Sequence, residues 1–131
     1  MYALVVDEVD EDALRWSSQR LQKFRDALPV CSLDLPVSDV DRTAVLSWRW
    51  DIDSEEGFSA NIWLALRLAK QLRIRHLFMD LVSVDQNLGG DALLNEVVAF
   101  SDLYQRLPVI VTYDHPSAGT RRKWYWTMRR P

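Results

Sequence analysis

Three short apolar runs decide what this chain can fold into: TAVLSW (43–48), RHLFMDLVSV (75–84) and PVIVTY (108–113). Between them lie FSANIWLALRLAKQLRI and DALLNEVVAFSDLYQRL, each long enough for a helix and apolar along one stripe. Strand, helix, strand, helix, strand with short connections leaves few topologies. Parallel strands joined by helical crossovers satisfy it, because a crossover helix returns the chain to the same end of the sheet. Near-continuous apolar strands also suit a sheet covered on both faces. The expected fold is α/β, with a mainly parallel sheet flanked by helices.

The flanking segments are less regular. YALVV reads as a short strand or extended arm, DEDALRWSSQRLQKFRDALP as a helix ended by Pro29, and VCSLDLPVSDVD as a connection. In the first crossover helix Phe58, Ile62, Ala65, Leu66, Ala69 and Leu72 share a stripe, and Asp91 is a candidate cap for the second. TRRKWYWTMRR reads as a helix with a charged outer face. With 131 residues, the chain fits one domain (1–131): a strand/helix extension over 1–40 and an α/β core over 43–130.

Composition narrows the function classes. The chain is 48% hydrophobic and 27% charged, enough for a real core. A net charge of -3 gives no global pull toward nucleic acid, so such a partner is not expected. One cysteine, Cys31, excludes a disulfide within the chain and points to a reducing, cytoplasmic setting. With one cysteine and two histidines, His76 and His115, no metal site is expected. No stretch approaches the ~20 apolar residues of a membrane span. MYALVVDEVD lacks the basic start and apolar run of a secretion signal. Neither a glycine-rich phosphate loop after the first strand nor a G-x-S-x-G elbow is present.

In an open parallel sheet, ligands bind outside the carboxyl ends of the strands. Here those exits are polar and aromatic. Ser47, Trp48, Arg49 and Trp50 leave the first strand, Asp85 and Gln86 the second, and Tyr113 the third. Such a set suits a nucleotide: carboxylates accept from ribose hydroxyls, arginine pairs with phosphate and tryptophan stacks on a base. Polar turn residues serve backbone geometry equally well. Three interior polar residues also need an account: Asn61 and Glu96 on helix stripes, and Asp80 inside the second apolar run.

Some of these residues resemble a known family. LSWRW is similar to the serine–aromatic–x–tryptophan element of fungal heterokaryon-incompatibility (HET) domains, and FMDLVSVDQ to their aspartate and aspartate–glutamine segment. EVVAFSDLY, with Tyr104, resembles the helix that follows, and WTMRR a later tryptophan element. HET domains are distant relatives of TIR domains, so the resemblance implies a flavodoxin-like (TIR-like) fold. It also implies a role in defence or cell death, with NAD as substrate rather than resident cofactor. Partners would be a nucleotide such as NAD, further copies of the chain or other TIR-like domains. A non-catalytic interaction module and a delivered toxin fragment are the alternatives. Arg129 and Arg130 stand where the family carries its glutamate. A hydrolase would therefore need another carboxylate, with Asp85 ranked before Glu96. Ser47, Trp48, Arg49, Trp50, Asp80, Gln86 and Tyr113 would bind the ligand.

Overall fold

A computed structural model describes residues 1–10, 28–48, 59–85, 87–116 and 122–129. The elements are β1 (Tyr2–Val5), β2 (Val30–Ser32), β3 (Thr43–Trp48), α1 (Ala60–Gln71), β4 (His76–Phe78), α2 (Asp80–Ser83), α3 (Gly90–Arg106), β5 (Val109–Pro116) and β6 (Arg122–Arg129). Single 3-10 turns cover Val6–Glu8 and Val40–Arg42. Residues 11–27, nearly all of the helix expected over 10–29, lie outside the described residues, as does Phe58 of the first crossover stripe.

The fold is α/β, with a mixed six-stranded sheet in the order β2-β1-β4-β3-β5-β6. Its centre is parallel as expected: β3 pairs with β4 through Val45↔Phe78 and with β5 through Trp48↔Thr112. Its flanks are antiparallel: β1 pairs with both β2 and β4, and β6 pairs with β5. The sheet is thus mixed rather than mainly parallel. TRRKWYWTMRR contains a strand, not a helix. The run Trp124–Tyr125–Trp126–Thr127 favours a strand, and Arg122, Lys123 and Arg129 stand at the ends of β6.

Period-two alternation of the strands builds two cores. Ala44, Leu46, Leu77, Met79 and Ile110 pack with Ile62, Ala65, Leu66 and Ala69 of α1. Val45, Phe78 and Val109 pack with Phe100 and Leu103 of α3 on the other face. β1 serves both cores, giving Leu4 to the first and Ala3 to the second. β1 and β2, from the 1–40 segment, are therefore strands of the sheet.

The helix ends follow local chemistry. Buried Ser59 caps α1, its Oγ accepting from the Ile62 amide at 3.1 Å. At the other end Arg73 takes a left-handed conformation (φ 59°), and the Ile74 amide bonds the Ala69 carbonyl at 2.9 Å. Leu72 is accordingly exposed rather than on the buried stripe. α3 is preceded by Gly89 with no side-chain cap, so Asp91 lies within the first turn and is not the cap. Gly90, at φ 57°, occupies a conformation that glycine adopts without strain.

The second apolar run departs most from expectation. Only His76–Phe78 is strand; Asp80–Ser83 forms one helical turn. Short apolar runs do not reveal their period, so a strand and a buried helical turn look alike in sequence. Ser83 is buried in α2, and its Oγ accepts from the Met79 amide at 3.1 Å. Asp80 is the first residue of that turn and not a carboxylate within a strand.

Candidate functional site

The connections around β3 and β5 diverge. From β3 the chain runs through α1 to β4 on one side, while β5 continues to β6 on the other. Such a divergence is where open α/β sheets place ligands, outside the carboxyl ends of the strands. Trp48 and Thr112 sit side by side at that point. Two groups of side chains occupy this rim.

The first group forms because β4 is short. Its ladder with β3 ends at Val45↔Phe78, while β3 continues to Trp48 against β5. The Val45 amide bonds the Pro108 carbonyl on the β5 side, so by alternation Leu46 faces the side where β4 has ended. Its carbonyl accepts instead from the Tyr104 hydroxyl of α3 at 3.1 Å. Next to it, Trp48 donates its Nε1 proton to Asp80 Oδ1 at 2.9 Å, and the same oxygen accepts from the Leu81 amide at 2.8 Å. Burial, and after it the Asp80 charge, pushes the Tyr104 hydroxyl up to about 12. Phe100 meets Tyr104 edge to face at 5.6 Å. Trp48, Asp80 and Tyr104 thus converge from three elements. Trp48 packs with the α1 core, and Tyr104 with the α3 core.

The second group lies on the loop after α2. The Asp85 amide donates to Glu96 Oε1 at 2.8 Å, while Asp85 Oδ1 accepts from the Asn87 amide at 3.0 Å. The latter closes an Asx-type turn. Both residues line a cavity of about 480 Å³ with Met1, Tyr2, Ser32 and Leu35. Each carboxylate therefore has one oxygen committed to shaping the loop. Glu96 is half-buried on α3, and one of its partners is the Asp85 backbone amide. A second cavity of about 540 Å³ is lined by Val37, Val40, Leu103 and Leu107. It lies where β3 and β5 begin, at the opposite end of the parallel strands.

Of the residues expected at the site, the structure joins Trp48 to Asp80 and Asp85 to Glu96. Ser47 is half-buried on β3 opposite Val111, and Tyr113 is 39% exposed one residue beyond Thr112. The exits of β3 and β5 share one end of the sheet, as the shared-site argument requires. Arg49, Trp50 and Gln86 lie outside the described residues. Asn61 is buried; its backbone carbonyl accepts from the Thr112 hydroxyl at 3.0 Å, which ties α1 to β5 beside the rim. Trp63 packs against the core, with the Arg67 guanidinium 4.8 Å above its ring.

Three contributors escaped the sequence-based site. Tyr104 occupied a tyrosine position in the resemblance, but nothing in a helical pattern shows that its hydroxyl reaches a strand carbonyl. Tyr2 and Ser32 line the Asp85–Glu96 cavity because β1 and β2 join the sheet. The apolar run YALVV, read as a short strand or extended arm, was the available signal for β1.

Among the described residues, no group of three or more His, Cys, Asp or Glu is placed to hold a metal ion. Among them also, no helix is long and apolar enough to cross a membrane. Comparison of the chain with protein-family models, with characterised proteins and with solved structures finds no match.

Proposed function

We propose that this is a TIR/HET-like domain that binds a nucleotide of the NAD type at the carboxyl rim of β3, β4 and β5. The observation that carries the reading is the 2.9 Å bond from Trp48 to Asp80. It links two resembling segments, 32 residues apart in sequence, at the place where open α/β sheets bind ligands. A half-buried indole beside a carboxylate supports this reading, because aromatic rings stack on bases and carboxylates accept from ribose hydroxyls. Tyr113 at the adjacent exit adds a second aromatic face.

A specific observation favours binding without turnover. Cleaving the nicotinamide–ribose bond builds positive charge on the ribose, and a carboxylate facing the sugar stabilises it. Asp85 and Glu96 each spend one oxygen on loop amides, and both line the cavity beside β1 and β2. In this reading they shape the loop, and the domain acts as a nucleotide-sensing module in a defence or cell-death response.

Calorimetric titration with NAD, ADP-ribose and ATP tests the binding. Asp80→Asn is expected to weaken it by about 1.5–3 kcal/mol, the range for a lost charge-assisted contact. Absence of heat with all three ligands defeats the reading. Nicotinamide release that is abolished in Asp85→Asn or Glu96→Gln would restore the hydrolase.

A further inference from the structure

We propose that the outer edge of β6 takes up an extended acidic peptide from a partner protein by strand addition. β6 pairs with β5 through eight registered residues, from Val109↔Arg129 to Pro116↔Arg122. It closes the sheet, and no strand among the described residues lies on its other side. An eight-residue strand with an open side offers a row of backbone donors and acceptors.

The sequence of that edge selects its occupant. RRKWYWTMRR (121–130) holds five cations, Arg121, Arg122, Lys123, Arg129 and Arg130, and no acid. Of these, Arg122 and Lys123 open β6 and Arg129 closes it, about 23 Å apart along the strand at the usual rise per residue, with an aromatic and apolar run between them in sequence. Arg129 also donates to the Tyr104 carbonyl, which ties this end of the strand to α3. The complementary ligand is an extended segment of six to eight residues, roughly the length of β6, acidic at both ends and β-branched in the middle.

Other occupants fit less well. Two copies joined through this edge would bring ten cations together, twice the five of one strand. The chain's own Asp7 and Glu8 follow β1, four strand positions away, or about 19 Å at the usual spacing. That is more than twice the ~8 Å screening length of physiological salt. Val6 and Val9 are buried, which holds that acidic turn in place and unavailable as a strand. Nucleic acid would satisfy the cations but not the backbone groups between them.

The test is fluorescence anisotropy of the whole chain with a labelled DETVTVED peptide in low salt. A version N-methylated at alternate residues carries the same charge without the edge-facing amides, and single-stranded oligo(dT) supplies phosphates alone. The unmodified peptide is expected to bind, with the N-methylated one weaker by about tenfold or more. The double variant Arg122→Glu/Lys123→Glu is expected to weaken the unmodified peptide to a similar extent. The proposal falls if the peptide does not bind, which would leave the cations as guards against edge pairing. It falls equally if the N-methylated peptide or oligo(dT) binds as well as the peptide. The N-methyl comparison uses the unaltered protein, so it stands whether or not the variant folds.

Discussion

The two long helices cover opposite faces of one sheet, yet they are held very differently. α1 has 12 residues and buries Asn61, Ile62, Ala65, Leu66, Leu68 and Ala69. α3 has 17 residues and buries only Phe100 and Leu103, while Leu94, Val97 and Val98 stay exposed. α1 is a core element fixed by packing along its length. α3 is anchored through its carboxyl-terminal half, and its amino-terminal half carries Glu96 out over the rim. The helix that contributes Tyr104 and Glu96 to the rim is thus the less buried one, as expected where binding surfaces are drawn from regions of lower local stability.

The largest test of this contrast is a pair of truncations. Leu66→Ala, at 1% exposure, is expected to cost about 3 kcal/mol, within the usual 2–5 for a buried leucine. Val98→Ala, at 60% exposure, is expected to change stability by less than about 0.5 kcal/mol. Urea unfolding of both variants gives the comparison, and similar costs would erase the distinction between the helices.

A smaller effect is expected where the two faces meet at Asp80. Trp48→Phe keeps an aromatic ring but removes the Nε1 donor and part of the indole, with about 1–2 kcal/mol expected from the lost bond. A double-mutant cycle with Asp80→Asn isolates the bond. Zero coupling would show that Trp48 is held by packing alone.

The contribution of α3 can be titrated. Tyr104→Phe should cost about 0.5–1.5 kcal/mol through loss of the bond to the Leu46 carbonyl. Its pH signature is more specific. The hydroxyl ionises near 10 when unfolded and near 12 when folded. Below pH 10 both states are neutral and the contribution is complete. Between 10 and 12 the unfolded state ionises first, so stability falls as pH rises. The ring is half-buried, so solvent screening limits the loss to about 1 kcal/mol. Unfolding curves at pH 9 and 11 should differ less in Tyr104→Phe than in the parent, after the common alkaline loss is subtracted.

The smallest expected effect is a gain. Arg73 holds a left-handed conformation that costs a non-glycine residue about 1 kcal/mol or more. Arg73→Gly should relieve it, less the extra freedom glycine brings to the unfolded chain, for a net gain of about 0.5 kcal/mol. A lower urea midpoint would mean that the arginine side chain contributes more than the backbone strain costs.

The parts legible in the sequence were those with long, unambiguous periodicity. The stripe Ile62–Ala65–Leu66–Ala69 located α1, and TAVLSW with PVIVTY located the central parallel pair. Local period failed where runs were short or charge dominated. LVS of α2 continues the apolar run of β4, and only the side-chain bonds of Asp80 and Ser83 to neighbouring amides mark the change from strand to turn. β6 was obscured by the cations of TRRKWYWTMRR, which suggested a charged helix face, while the aromatic run that favours a strand is short. The candidate residues were named individually, but their grouping was not legible. Whether Asp85 meets Glu96 or Trp48 depends on where β4 stops, and no local pattern encodes that.

The unequal strands give the rim a profile. β4 has three residues, β3 six, and β5 and β6 eight each. Past the row through Trp48 and Thr112, β5 climbs four more residues, Tyr113–Pro116, with β6 beside it. That adds about 13 Å of paired backbone above the end of β3. The rim is therefore a ramp, low over β4 and walled by the hairpin. A molecule settling against Trp48 has its back to that wall. In the proposed reading, Asp80 and the Asp85 turn stand on the low side of that ramp, at the threshold of the ligand's place as well as beside it.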